Sequence, residues 1–298
     1  MHKTILDIVI EGLSGAVSIV LLLFTCPFSE IFSNEETALM KFKDKVIVVT
    51  GAGRGIGRGL CERFAQESPA GIVVADLDED KAQETAEIVG GTAFACDVAV
   101  EQSIKELVVR TQETYGPIDL FCANAGLAFS GGPELPDEKW KQMMDIHVMS
   151  HVWSARAVLP GMLERGHGCL LHTASAAGLL TELTSAPYSV SKHAAVAFAE
   201  WLAIKYGSKG IQVACLCPQG VRTRMIDGEH PMSQHLQKTS ISVEELAEAT
   251  VQCLRDGQFL ILPHPEVKRF MENRAGNHER WLGGMQQLRE SLFGRTED

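Results

Sequence analysis

The chain of 298 residues has no CxxC pair and no histidine–cysteine cluster at zinc spacing, so a structural zinc site is excluded. Its 8 cysteines are scattered, mostly inside apolar runs, and read as free buried thiols of a reducing compartment. Cys215 and Cys217 share a strand face, a spacing that does not make a usual disulfide. No basic stripe is present. With 27 basic against 38 acidic side chains the formal charge is −11, which excludes a phosphate-neutralising nucleic-acid binder. Internal repeats and low-complexity segments are also lacking. Long hydrophobic runs are scarce, and only one uncharged stretch approaches spanning length, so a polytopic membrane protein is excluded. What remains is globular composition, 45% hydrophobic and 22% charged.

The scarce long run lies in residues 1–39. Gly12 to Ser29 carries no charge, Val17 to Phe24 is almost wholly aliphatic, and Pro27 ends the run. Its length favours a membrane anchor, either spanning or lying in the interface. Lys41, Lys43 and Lys45 follow it and would place the remaining chain on the cytosolic side of an intracellular membrane. A secretory signal competes, though no small-residue cleavage pattern follows the aliphatic run. A third reading has residues 1–39 dispensable to a cytoplasmic domain that begins at Met40. These readings stay open.

From Met40 the pattern alternates. Short β-branched runs occupy Val46–Thr50, Gly71–Ala75, Thr92–Ala95, Leu120–Ala123, Cys169–Ala174, Ile211–Leu216 and Phe259–Leu262. Helical periodicity fills Gly57–Glu67, Glu79–Val89, Glu101–Tyr115, Asp137–Arg165, Tyr188–Tyr206 and Val243–Arg255. Successive βαβ units of this kind imply one doubly wound α/β domain over residues 40–298, a single parallel sheet covered on both faces.

The first strand runs into Thr50-Gly51-Ala52-Gly53-Arg54-Gly55-Ile56-Gly57, with a helix following. Glycines there permit a tight turn and let backbone N–H groups approach a pyrophosphate at the helix N-terminus. Gly51, Gly55 and Gly57 fit TGxxxGxG rather than GxGxxG. Asp76 ends the second strand, where a carboxylate accepts hydrogen bonds from an adenosine ribose and repels a 2′-phosphate. Arg54 pulls the other way, since a guanidinium in the turn can meet that phosphate. Asp76 stands where the phosphate would have to lie, so NAD is expected over NADP. A solvated strand end and an N-cap from Asp78 are a compatible structural role.

Ser175 closes the fifth strand, and Tyr188 and Lys192 follow at i and i+4 of a long helix, on one face. A nearby ammonium lowers a phenol's pKa, which would let Tyr188 act as general base or acid. Ser175 would hold the substrate oxygen.

With these motifs together, residues 41–262 resemble the short-chain dehydrogenase/reductase family. The resemblance implies a Rossmann-like three-layer α/β/α sheet and hydride transfer between a nicotinamide cofactor and a secondary alcohol or ketone. It also implies Ser175, Tyr188 and Lys192 as catalytic residues, Tyr188 and Lys192 contacting the cofactor as well. Cofactor contacts are implied for Gly51, Arg54, Gly55, Ile56, Gly57, Asp76, and for Asp97 and Val98 after the third strand. Asn124, in an NNAG motif altered to Ala123-Asn124-Ala125-Gly126, belongs with them. So do Pro218, Val221 and Thr223 in the segment after the sixth strand. His147 stands where the family usually has a relay asparagine. Either it relays protons, or it fills a packing gap while a backbone carbonyl keeps the relay water. A homodimer or homotetramer built on the helices 137–165 and 187–206 is implied too.

Arg224–Ser240 reads as a lid, with Met225, Met232 and Leu236 as candidate apolar lining and Leu179, Leu180 and Leu183 as a pocket wall. The tail Glu266–Gly294 carries an apolar stripe of Phe270, Trp281, Leu282, Met285 and Leu288, expected to pack on the domain or a partner subunit. The apolar N-terminal segment resembles membrane-associated hydroxysteroid and retinol dehydrogenases, which points to a lipophilic small-molecule substrate. The alternative is a catalytically weak NAD-binding sensor or scaffold of the same fold. No metal and no nucleic acid are expected.

Overall fold

Valine and isoleucine dominate the first strand, and every residue of it is buried, which requires cover on both faces. In the computed structural model, which describes residues 40–294, that cover is a layer of helices on each side of a seven-stranded parallel sheet. The expectations for residues 1–39 lie outside the described residues. The strands are β1 Val46–Thr50, β2 Gly71–Asp76, β3 Thr92–Ala95, β4 Leu120–Ala123, β5 Gly168–Thr173, β6 Ile211–Leu216 and β7 Leu260–Ile261. Their order across the sheet is β3-β2-β1-β4-β5-β6-β7, every pair parallel.

The helices are α1 Gly55–Ala65, α2 Glu79–Val89, α3 Glu101–Tyr115, α4 Asp137–Met144, α5 Ser150–Arg165, α6 Ala177–Leu180 and α7 Ala186–Tyr206. After them come α8 Pro231–Gln237, α9 Val243–Arg255, α10 Glu266–Gly276 and α11 His278–Phe293. Alternation along β1 divides the core. Val46 and Val48 face a cluster with Ile104, Leu107, Val158, Met162 and Ala199, from α3, α5 and α7. Ile47 and Val49 face Leu60, Phe64, Ala82, Leu246 and Val251, from α1, α2 and α9. Each fully buried aliphatic side chain contributes about 1.5–3 kcal/mol relative to exposure.

β1 pairs with β2 on one side and β4 on the other, so the strand order reverses at its C-terminal end. Ligands of open α/β sheets bind at such a crevice. Local chemistry fixes the flanks. Asp78 caps α2 through a bond from Lys81 N, and Ser242 with Glu245 forms a reciprocal capping box on α9.

Two expected elements differ in detail. The single helix expected over Asp137–Arg165 holds a π-helical turn, Asp145–Met149, between α4 and α5. The tail is two helices rather than one, broken at Asn277, whose extended backbone ends α10 and whose side chain caps α11. The expected lid contains a 3-10 turn, Arg224–Ile226, and α8. Among the described residues no helix is long and apolar enough to cross a membrane.

Candidate active site

The turn between β1 and α1 is drawn tight against β4. Gly51 has φ +61°, and a Cβ there would lie 2.7 Å from Ala125 Cα. A Cβ on Gly57 would lie 2.2 Å from the Gly51 carbonyl oxygen and 2.7 Å from Asn124 Nδ2. Neither position admits a side chain. Asn124 fastens this approach: its Nδ2 donates to Thr50 O at 3.0 Å, and its backbone N–H donates to Thr50 Oγ1 at 3.0 Å. The Asn124 Oδ1 is buried and has no partner among the described residues.

The first turn of α1 has neither a side-chain cap nor an acidic residue, so its N–H groups, those of Gly55 and Ile56 among them, are left for an outside acceptor. Thr223 stands across the gap, its Cγ2 3.4 Å from where a Cβ on Gly55 would be. An uncapped helix N-terminus, a turn without side chains and a facing threonine fit the diphosphate of a dinucleotide.

Asp76 is more occupied than its sequence position indicates. Its Oδ2 accepts from Gly53 N at 2.8 Å and its Oδ1 from Asp78 N at 3.0 Å. The carboxylate therefore shapes the glycine turn, and the remaining lone pairs are what it can offer a ribose. Arg54 is exposed and reaches Asp78 Oδ2 at 3.3 Å, away from a 2′-phosphate role. Asp97 turns on itself, its Oδ1 accepting from Ala99 N at 2.9 Å. The Val98 side chain is buried in the core, which leaves only its backbone for a cofactor contact. Val221 is buried as well, and Pro218 O accepts from Ala176 N at 2.8 Å.

Ser185 caps α7 by accepting from Tyr188 N at 3.2 Å, which sets Tyr188 in the first helical turn and Lys192 one turn on. Lys192 is buried; its Nζ donates to Thr173 O at 3.0 Å and lies 5.7 Å from the Tyr188 ring centroid. Burial pulls the Lys192 ammonium down to about 8. Ser175 Oγ accepts from Ala177 N at 3.1 Å. The Tyr188 phenol is raised above its ordinary range, chiefly by burial, against a lowering hydrogen bond to Ser175; the Glu182 carboxylate adds to the rise. The net shift is opposite to the lowering expected from Lys192, whose ammonium donates to a backbone carbonyl. Ser175, Tyr188 and Lys192 are nevertheless brought together at the end of β5.

His147 sits in the π turn, fully buried, with both ring nitrogens engaged. Nε2 accepts from Leu127 N at 3.2 Å, so the proton lies on Nδ1, which is 2.9 Å from Ser191 Oγ. Ser191 in turn donates to Tyr188 O at 3.1 Å. Burial and the neighbouring Lys192 push His147 down to about 2. A neutral ring with both nitrogens committed has no free donor or acceptor for a relay water. Its ring stands edge-on to Tyr188 at 5.4 Å between centroids.

One positioning residue escaped the sequence. His264 is buried, accepts from Gln219 N at 3.2 Å through Nδ1 and donates to Gly220 O through Nε2 at 3.0 Å. It clamps the loop that carries Pro218 to Thr223. No local pattern announces a clamp that far along the chain.

A cavity of about 1240 Å³ opens from Ser175 and Tyr188. Leu180, Leu183, Met225, Met232 and Leu236 line it, as expected for pocket wall and lid; Leu179 packs in the core instead. Phe270, Trp281, Met285 and Leu288 of the tail also line this space, while Leu282 is exposed. Among the described residues no group of three or more His, Cys, Asp or Glu could hold a metal ion. Cys215 and Cys217 are free, their sulfurs 3.7 Å apart.

A model of the short chain dehydrogenase family matches residues 45–234. The chain is 34% identical over 238 residues to 1-deoxy-11-beta-hydroxypentalenate dehydrogenase of Streptomyces exfoliatus, covering 77% of this chain and 86% of that one. It is 37% identical over 187 residues to a Sphingobium indicum 2,5-dichloro-2,5-cyclohexadiene-1,4-diol dehydrogenase, covering 61% and 74% respectively. Human epidermal retinol dehydrogenase 2 is 29% identical over 233 residues, 74% of each chain. A solved structure of a short chain dehydrogenase/reductase from Burkholderia phymatum in complex with NAD superposes with a TM-score of 0.74 at 26% identity, covering 81% of this chain and 96% of that one. The sheet order, the glycine turn and these matches agree, and the chain belongs to the short chain dehydrogenase family.

Proposed function

We propose that the protein is an NAD-dependent oxidoreductase that interconverts a lipophilic secondary alcohol and its ketone. The observation that carries this reading is the convergence of the Ser175 hydroxyl, the Tyr188 phenol and the buried Lys192 ammonium beside a large apolar cavity. NAD, when bound, would supply the hydride acceptor, and its cationic ring would favour the Tyr188 phenolate. Ser175 holds the substrate oxygen by hydrogen bonding. In oxidation the Tyr188 oxygen takes the hydroxyl proton as the hydride leaves the carbon, and in reduction it returns that proton. Lys192 and Thr173 O keep a positive charge behind the phenol.

The turn Gly51–Gly57 and Thr223 would hold the diphosphate. Asp76 would face the ribose, and Asp97, Asn124 and the Pro218–Thr223 loop would complete the berth. The relatives named for pentalenate, cyclohexadienediol and retinol dehydrogenation, and the NAD-bound Burkholderia protein, support this assignment of chemistry. The sensor alternative is not favoured, since the catalytic side chains are all present.

The catalytic domain is taken as residues 40–298, with membrane association through residues 12–29. Copies are proposed to pair through α5 and α7, a reading supported by Trp201 at 52% and Ile204 at 83% exposure on α7. The test is a screen of steroids, retinoids and small ketones with NAD and NADP, read by nicotinamide absorbance. Turnover of a lipophilic alcohol with NAD is the expected result; none across the panel with either cofactor overturns it.

A further inference from the structure

We propose that the C-terminal helix α11 determines which alcohols the site accepts, with Met285 and Leu288 forming the wall against which the remote part of a multi-ring substrate lies. The proposal rests on the reading of Ser175 and Tyr188 as the reacting end of the cavity.

At about 1240 Å³ the cavity exceeds the 300–1,000 Å³ usual for small-molecule sites. A single six-membered ring held at Ser175 and Tyr188 would leave most of it unfilled. Part of its wall is built by α10 and α11, which lie beyond residues 45–234, the part matched by the family model. That stretch of the wall is therefore supplied by a segment outside that part.

The helix α11 is built for this position rather than for the core. None of its residues is buried. Trp281, Met285 and Leu288 recur at i, i+4 and i+7, one helix face, and all three are half-buried lining residues of the cavity. An apolar face turned to open space gains its burial when an apolar ligand fills that space.

The helix is also held in place. Asn277 accepts from Arg280 N at 2.9 Å, the Phe270 and Trp281 rings meet at a tilt with centroids 6.3 Å apart, and Phe293 meets His230, beside α8, at 5.6 Å. Arg274 of α10 donates to Leu179 O next to the catalytic serine's turn. Met225 and Met232, in the segment expected as a lid, line the same cavity. Unbranched thioethers adapt to ligand shape, which suits a wide, rigid, apolar guest.

Met285→Trp and Leu288→Trp would fill the cavity from the α11 side without touching the core. Each variant is assayed in the full chain with NAD on cyclohexanol and on a fused four-ring secondary alcohol, and binding of the four-ring ketone to the NAD-loaded protein is measured by calorimetry. The expected result is a drop of about tenfold or more in the four-ring to cyclohexanol ratio of kcat/KM, carried by KM, with matching loss of ketone affinity. NAD affinity and the circular dichroism melt report that the fold is kept. A ratio and a ketone affinity that stay within about twofold in both variants overturn the proposal. Wild-type protein that turns over neither alcohol overturns the dehydrogenase reading instead, and ketone affinity still lowered by the substitutions supports α11 as the selecting wall.

Discussion

Lys192 Nζ donates to the Thr173 carbonyl oxygen at 3.0 Å, and the Tyr188 ring centroid is 5.7 Å from the same nitrogen. The ammonium is thus held behind the phenol, on α7 one turn away, with a backbone oxygen as its anchor. Tyr188→Phe keeps this arrangement and removes only the proton carrier. Turnover is expected to fall by about 10²–10⁴-fold while NAD affinity, measured by calorimetry, changes far less. Equal losses in both would show that the phenol serves binding alone.

Asp76 has a double duty, and the two parts separate experimentally. Asp76→Ala removes the acceptor for Gly53 N and Asp78 N as well as the charge proposed to face the ribose. NADP should gain on NAD in kcat/KM, and the melting temperature should fall. Asp76→Asn keeps one carbonyl acceptor and should retain about 1 kcal/mol more stability than the alanine variant while showing the same relaxed cofactor choice. A wild-type preference for NADP would contradict the ribose assignment.

Acid should unfold this domain early. Burial pushes His147 to about 2 and His172 to about 4, and holds His151 well below its ordinary value, with His172 and Lys192 adding to it. The unfolded chain takes up these protons near pH 6.5 and the folded one does not, so stability is full above that pH. It is lost as pH falls toward the folded values, at about 1.4 kcal/mol per pH unit for each group. Urea midpoints at pH 7, 6 and 5 should decline steeply, and His172→Phe should reduce the slope by about one proton. A midpoint independent of pH over this range would refute the neutral, buried state of these rings.

Ile204 is 83% exposed and Trp201 52%, on a helix whose opposite face packs into the core. If copies pair through α7 as proposed, Ile204→Glu should break the pairing, seen as a lower mass in light scattering, with little effect on the chemical denaturation midpoint. A mass that matches the monomer before substitution would remove α7 as the pairing helix.

The parts of the fold readable from sequence were those written locally. β1 with its glycine turn, the cap at Asp78 and the pair Tyr188 and Lys192 each depend on neighbours within a turn or two. Asn277 also carried a local signal, a capping residue after Gly276, that a continuous apolar stripe obscured. What could not be read depends on distant partners. His147 meets Leu127 at a separation of 20 residues and Ser191 at 44, and nothing near it in the chain specifies both bonds. The buried contact of His151 with His172, rings 4.9 Å apart, arises only when α5 is laid on β5. Asp76 was found by position, but its two backbone bonds require the turn to be folded back over β2.

The wide turn at Asp145–Met149 adds one residue to what would otherwise be a continuous helix, and that extra residue is what swings the imidazole inward. Deleting one residue there would restore regular α winding, leaving α4 and α5 in register with each other but moving the residues of the turn itself around the helix. The shortened chain would present isoleucine or valine where the ring now sits, lose the anchor for Leu127, and misalign the wall beneath the phenol. A length change of one amino acid, in a helix well behind the reacting atoms, would therefore be as disabling as replacing one of them.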